Sequence, residues 1–130
     1  MHTLVVTAAI IQREDKILIT QRKSNADHGL QWEFPGGKLN YAEDPKEGLR
    51  REIIEELDME IEVGDIFEVI SHCYGERHIL LLCYLCRYLG QKPTTKDCQD
   101  FHWVTPEEMD NYPFTAADVP VVKKLQRKNR

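Results

Sequence analysis

Residues 36–59 read "GGKLNYAEDPKEGLRREIIEELDM" and carry the clearest structural signal of the chain. Asp44, Pro45 and Glu47 supply an N-cap acid, a proline in the first turn and an acid three positions after the cap, which is the capping-box arrangement. No further proline interrupts the sequence before Leu57, and the apolar residues keep helical spacing. The pattern therefore predicts an α-helix that begins at this cap and ends at Leu57.

The predicted helix has an unusual acidic side. Its apolar stripe is formed by Leu49, Ile53 and Leu57. Beside the stripe, Glu52, Glu55 and Glu56 fall within an arc of about 100°, where like charges oppose helix formation by a few tenths of a kcal/mol per pair. Such a face is either simply solvated or neutralised by a hard divalent cation such as Mg²⁺. The preceding "PGG" favours the cation, because glycine lets the backbone approach a ligand closely.

The other predicted elements follow from apolar runs and breaker residues. Strands are predicted over residues 4–12, 17–20, 61–74, 77–88 and 101–104. Residues 23–34 lack a sustained period and predict a loop, "TPEEM" at 105–109 begins a helix, and Asp118 with Pro120 opens a last amphipathic helix. Strands mixed with about two helices predict one α/β domain over residues 1–130, layered as a sandwich.

The composition predicts a soluble, cytoplasmic protein and argues against large anionic partners. Lys and Arg number 17 against 22 Asp and Glu, a formal net charge of -5. This balance supplies no long-range attraction to nucleic acid polymers or anionic membranes. No apolar run approaches the roughly 18 residues of a membrane span, and no export signal precedes the cysteines. Reduced thiols are therefore expected.

The acidic helix and the loop before it resemble the Nudix box. The pattern consists of Gly37, five residues, Glu43, seven residues and then "REIIEE" at 51–56. The box has glycine where this chain has Asp58, and aspartate tolerates the left-handed conformation expected there at a cost of about 1 kcal/mol. The segments "QRK", "WEFPGGK", "ERHILL" and "FTAADVP" are similar to the MutT-like nucleoside triphosphate pyrophosphohydrolases of this family. The resemblance implies a Nudix α/β/α sandwich with a mixed sheet, and hydrolysis of nucleoside triphosphates to monophosphate and pyrophosphate.

The resemblance implies a metal centre with Mg²⁺ as the cofactor and Mn²⁺ able to replace it. The implied metal ligands are Gly37 through its carbonyl, Glu52, Glu55, Glu56 and Asp97. The implied catalytic residues are Glu52, Arg51, Glu56 and Asp97. Arg51 would hold a catalytic glutamate, and either Glu52 or Asp97 would activate water, with Asp100 as an alternative to Asp97. For both aspartates, an ordinary surface charge is the competing interpretation.

The resemblance also implies a nucleotide site. Its residues are Arg22, Phe34, Lys38, Arg77 and Asp118. Arg22 and Lys38 would meet phosphate oxygens, Phe34 would border the base, and Arg77 would close over the nucleotide. The neighbouring Lys23 is expected to be solvated.

Asp118 stands where MutT-type enzymes have an asparagine, and an ionised aspartate only accepts hydrogen bonds. It should therefore favour a base with an exposed amino or imino edge, and its structural alternative is a helix N-cap. The candidate substrates are 8-oxo-dGTP and normal or modified cytidine triphosphates. Two other functions stay open: a Nudix hydrolase of a nucleoside diphosphate linked to another moiety such as ADP-ribose, and a Nudix module that senses a nucleotide without cleaving it. A monomer and a homodimer are both compatible with the sequence.

Overall fold

The computed structural model describes residues 2–128, which form a mixed sheet with helices on both faces. Met1, Asn129 and Arg130, which the predicted domain includes, lie outside the described residues. The elements are β1 (Leu4–Arg13), β2 (Lys16–Gln21), β3 (Trp32–Glu33), β4 (Gly36–Lys38), α1 (Pro45–Leu57), β5 (Ile61–Tyr74), β6 (Arg77–Tyr88), β7 (Asp100–Val104), a 3-10 helix (Glu107–Asn111) and α2 (Val119–Lys128). No helix within residues 2–128 has the length and apolar character needed to cross a membrane.

The sheet is built around β1. Across residues 2–128, the strands follow the order β3-β2-β1-β6-β5, while β4 also pairs with β1 and β7 with β2. The β1–β6 pairing is parallel, with Val6 opposite Leu81, and the other pairings are antiparallel. Because β4 carries the glycines of "PGG", its pairing with β1 fixes that segment beside the centre of the sheet.

Alternation along β1 separates two cores. Ala8 and Ile10 pack in the cluster that contains the apolar residues of α2, whereas Ala9 and Ile11 pack in the cluster that contains those of α1. Successive strand side chains point to opposite faces, so one strand can serve both layers. The predicted α/β/α sandwich is confirmed, and the apolar stripe predicted for α1 is buried.

Both ends of α1 follow the sequence signals. The Glu47 N–H donates to Asp44 Oδ2 at 3.1 Å, as an N-cap requires. The Glu47 carboxylate contacts Arg50 Nη1 at 3.2 Å, so this acid supports the first turn through a neighbouring side chain. At the other end, Asp58 adopts a left-handed conformation with φ 53° and ψ 43°, and its N–H donates to the Ile54 carbonyl. The conformation expected of Asp58 is confirmed.

Two local predictions were wrong. The segment 23–34 ends in a strand, because Trp32 and Glu33 of β3 pair with Gln21 and Thr20 of β2. Two residues are too few to show a strand period in sequence. The segment that "TPEEM" opens forms only the 3-10 helix Glu107–Asn111.

Candidate functional site

Arg51 organises the acidic side of α1. Its Nε and Nη2 donate to the two oxygens of Glu43 at 2.8 and 2.9 Å. Its Nη1 donates to Glu52 Oε1 at 3.0 Å and to Glu55 Oε2 at 3.1 Å. Nη2 also donates to the Lys38 carbonyl at 3.1 Å, which ties α1 to β4. The Arg51 hydrogen bonds hold the pKa of Glu43 at about 2, so this partner stays ionised. One guanidinium therefore orients two predicted ligands.

Gly37 leaves the space that Glu52 occupies. A Cβ at position 37 would overlap the Glu52 carboxylate, so a larger residue would displace this acid. The Gly37 carbonyl lies beside β1 and accepts a hydrogen bond from Thr7 Oγ1 at 3.2 Å. Burial raises the pKa of the half-buried Glu52, and Arg51 opposes that rise. The structure thus packs the Glu52 carboxylate against the backbone of Gly37.

Glu56 has an unsatisfied oxygen. Although the residue is half-buried, its Oε1 is out of solvent and has no hydrogen-bond partner. Burial first, and then the charge of Glu33, raise the pKa of Glu56 to about 8. A buried carboxylate oxygen without a partner is costly. A divalent cation would supply the missing partner, so the donor chemistry of this face fits a metal.

The predicted ligands share one region without converging on a single point. Within residues 2–128, no group of three His, Cys, Asp or Glu side chains has a geometry that would hold an ion. The exposed Asp97 carboxylate pairs with Lys23 Nζ at 3.0 Å, while the Asp97 N–H donates to the Glu56 carbonyl at 3.0 Å. Asp100, the alternative acid, accepts from the Phe101 N–H at 2.8 Å. Asp97 is therefore the aspartate whose backbone is tied to the acidic helix.

A cavity of about 250 Å³ adjoins the acidic face. All five residues that the sequence predicted to bind substrate line it, namely Arg22, Phe34, Lys38, Arg77 and Asp118. The glycines of β4 also line it, so the metal-binding candidates and the cavity share the "PGG" segment. The five residues are brought together from four separate parts of the chain.

The two arginines of the cavity meet at Asp27. Arg22 Nε donates to the Asp27 carbonyl at 2.6 Å, and Arg22 Nη1 lies 3.1 Å from Glu33 Oε1. Arg77 Nη1 lies 3.3 Å from Asp27 Oδ2. Burial raises the pKa of Glu33 while Arg22 opposes that rise. Arg22 is thus held against the cavity wall, and Arg77 is held at the exposed loop that carries Asp27.

The inner end of the cavity combines aromatic rings with a buried acid. Phe34 is buried, and its ring centroid lies 5.5 Å from that of Phe114. Asp118 is buried as well, and its Oδ2 accepts a hydrogen bond from Thr115 Oγ1 at 2.8 Å. Its backbone carbonyl, not its side chain, accepts from the first turn of α2. The carboxyl of Asp118 is therefore free of the capping role.

The protonation expected for Asp118 needs correction. Burial, and then the charge of Glu33, raise the pKa of Asp118 to about 8, although the Thr115 hydrogen bond opposes that rise. The carboxyl is thus mainly protonated near neutral pH, and a protonated acid both donates and accepts. The expected difference between Asp118 and an asparagine, that the aspartate only accepts hydrogen bonds, therefore holds only above that pKa.

Sequence reasoning gave no role to Glu33 or Tyr74, and both line the cavity. The Tyr74 hydroxyl accepts from the Ala117 N–H at 2.9 Å, and its ring centroid lies 4.6 Å from that of His28. One signal was available for Glu33, which stands between two large aromatic residues in "WEF". Because large aromatic residues are mostly buried, this segment is expected to be buried, and the acid with it. Tyr74 had no local signal, since its partner lies 43 positions away.

The chain belongs to the Nudix family. Residues 6–124 match the NUDIX domain, which confirms the membership expected from the box. It is 34% identical over 123 residues to the CTP pyrophosphohydrolase of Escherichia coli (strain K12), covering 95% of this chain and 91% of that protein. It is 31% identical over 128 residues to the 8-oxo-dGTP diphosphatase of the same organism, covering 98% of this chain and 99% of that protein.

The fold agrees with a solved structure. The solution structure of the E. coli ORF135 protein matches with a TM-score of 0.87 and 32% identity, over 99% of this chain and 92% of that chain. Nudix hydrolases generally need a divalent metal ion. The family therefore accounts for the acidic side of α1 more directly than solvation does.

Proposed function

We propose that this protein is a Mg²⁺-dependent, MutT-like nucleoside triphosphate pyrophosphohydrolase that releases a nucleoside monophosphate and pyrophosphate. Its candidate substrates are 8-oxo-dGTP and normal or modified cytidine triphosphates, and its role is sanitation of the nucleotide pool. The observation that best supports this proposal is the buried, unpartnered Glu56 Oε1 on an acidic helix beside a cavity of about 250 Å³. Relatives named for the cleavage of CTP and of 8-oxo-dGTP support this class of substrate.

Electrostatics favours a cation at this site. A triphosphate carries about four negative charges, and the protein has a formal net charge of -5. The residues proposed to hold Mg²⁺, or Mn²⁺ in its place, are the Gly37 carbonyl, Glu52, Glu55, Glu56 and Asp97. When bound, the ion supplies charge neutralisation of the phosphate oxygens and a lowered pKa of bound water. The carboxylates supply the fixed negative positions that bring it there.

Glu52 is the favoured proton acceptor. It is held at 3.0 Å by Arg51, it contacts the Gly37 backbone segment, and burial raises its pKa. Asp97, the other candidate, has an exposed side chain paired with Lys23. We therefore expect Glu52→Gln to lower kcat more than Asp97→Asn does. The reverse order would assign the base to Asp97.

The cavity would hold the nucleoside. Phe34 borders the base, and Asp118 contacts its polar edge as donor or acceptor according to its protonation. Arg77 stands at the exposed end, where it can exchange Asp27 for the nucleotide. Arg22 and Lys38 supply positive charge toward the phosphates, and the forked Arg22 donors suit them best.

The decisive experiment compares kcat/KM across normal, oxidised and methylated triphosphates, with pyrophosphate as the readout. Each substrate is assayed at about pH 6.5 and pH 9, on either side of the pKa of about 8 for Asp118. The ranking of bases should change between the two conditions in the wild-type protein. Asp118→Asn, which cannot ionise, should keep one ranking at both.

Three outcomes would contradict the proposal. Cleavage of ADP-ribose in preference to every triphosphate would change the substrate class. Tight nucleotide binding without hydrolysis would favour a sensing module. A ranking that shifts equally in the wild-type protein and in Asp118→Asn would remove Asp118 from base recognition.

A further inference from the structure

The segment that carries Asp97 is fastened to the end of α1. We call residues 89–99, between β6 and β7, the Asp97 loop. The Thr94 N–H and Oγ1 both donate to the Leu57 carbonyl, at 2.9 and 3.1 Å. The Asp97 N–H donates to the Glu56 carbonyl at 3.0 Å. The last carbonyls of a helix lack intrahelical partners. These bonds therefore cap α1, and they fix the Asp97 loop to Glu56, whose Oε1 is buried.

The same loop is tied to the wall of the nucleotide cavity. The Gln99 N–H donates to the Gln21 carbonyl at 2.8 Å. Lys23 Nζ lies 3.0 Å from Asp97 Oδ1. Lys23 directly follows Arg22, which lines the cavity. The Asp97 loop is therefore fastened both to α1 and to the chain segment that leads from β2 into Arg22 and Lys23.

The contact between Lys23 and Asp97 can exchange partners. Both side chains are exposed, 45% for Lys23 and 70% for Asp97, and exposed ion pairs contribute little to stability. A divalent ion attracts a carboxylate more strongly than one solvated ammonium does, and phosphate oxygens attract the ammonium. The backbone of Asp97 is already fixed to the Glu56 carbonyl, so the exchange concerns the Asp97 side chain.

We propose that Lys23 is a positioning residue that exchanges Asp97 for substrate phosphate. In the metal-free protein, Lys23 holds the Asp97 carboxylate. When the metal and nucleotide bind, Asp97 turns to the ion and Lys23 contacts a phosphate oxygen. This inference rests on the proposed function, and it gives a role to a lysine that the sequence indicated to be solvated.

The test uses the full-length protein freed of metal and the variants Lys23→Ala, Lys23→Arg and Lys96→Ala. Lys96 lies in the same loop and is exposed, so its removal is a matched loss of charge. Mn²⁺ binding is measured without nucleotide by electron paramagnetic resonance, and KM is measured with the best triphosphate. Lys23→Ala should tighten Mn²⁺ binding up to about fivefold, because it removes a competitor worth at most about 1 kcal/mol.

The same variant should raise KM several-fold, so its two effects have opposite signs. Lys23→Arg should retain wild-type behaviour in both assays, and Lys96→Ala should change neither. In an Asp97→Asn background, Lys23→Ala should no longer affect Mn²⁺ binding. If Lys23→Ala and Lys96→Ala gave the same Mn²⁺ affinity or the same KM, the proposed exchange would be wrong. If the wild-type protein cleaves no triphosphate, the proposed function fails, whereas the Mn²⁺ measurement still tests the contact with Asp97.

Discussion

Replacing Glu56 by glutamine is expected to stabilise the metal-free protein while abolishing most activity. The folded protein holds a carboxyl whose pKa is about 8, against 4.5 for the same group in the unfolded chain. Below the lower value both states are protonated, and the group has no effect on folding. As pH rises from 4.5 to about 8, the unfolded state loses its proton before the folded state does. The free energy of unfolding therefore falls over this range of pH. Glutamine cannot ionise and escapes this loss.

The magnitude follows from the width of this pH range. Each pH unit between 4.5 and about 8 lowers the free energy of unfolding by about 1.4 kcal/mol. At pH 7 the full loss would be about 3 kcal/mol, and solvent contact of the half-buried residue reduces it to about 2 kcal/mol. Above about pH 8 the difference between Glu56→Gln and the wild-type protein should stay constant.

The free energies of unfolding of Glu56→Gln and the wild-type protein are compared by urea unfolding in the presence of EDTA, at several pH values between about 5 and 9. Glu76→Gln makes the same chemical change at an exposed hairpin turn and should show no comparable trend. With Mg²⁺ present, the wild-type protein should gain more stability than Glu56→Gln, and the variant should lose turnover by orders of magnitude. A stability difference that is the same at every pH would refute the reasoning. Near-normal turnover would remove Glu56 as a metal ligand.

Three further substitutions test the supports of the site. Gly37→Ala should lower kcat with little change in the circular dichroism spectrum, because its Cβ would displace the Glu52 carboxylate; wild-type kcat would contradict this contact. Arg51→Lys cannot reproduce the forked bonds to Glu43 and should lower kcat by about 10- to 100-fold, and an unchanged kcat would show that the fork is dispensable. Asp58→Gly should raise the free energy of unfolding by up to about 1 kcal/mol in urea titrations, since φ is 53°; destabilisation would refute this account.

The parts of the fold that the sequence predicted are those governed by neighbours along the chain. The cap at Asp44, the buried stripe of α1 and the left-handed Asp58 each depend on residues within a few positions. The same is true of the apolar run that predicted β1. Strand β3 was missed because its two residues become a strand only through pairing with β2.

The chemical state of the site could not be predicted in the same way. The sequence named Glu56 and Asp118 as candidates, but their raised pKa values depend on burial and on the charge of Glu33. These three acids come from α1, from the residue before α2 and from β3, and no local pattern links them. Charge interactions between such distant positions are set by the packed fold, which the spacing of residues does not report.

The three coupled acids show how the site opposes the stability of the metal-free protein. Burial raises the pKa of Glu33, Glu56 and Asp118, and the charge of Glu33 contributes to the rise at the other two. Amides or apolar residues at these positions would fold without that cost. A nucleotide base can take a hydrogen bond from protonated Asp118, and a bound cation can neutralise Glu56. The arrangement is therefore unfavourable in the protein without ligands, as expected of a binding site at which stability is exchanged for binding.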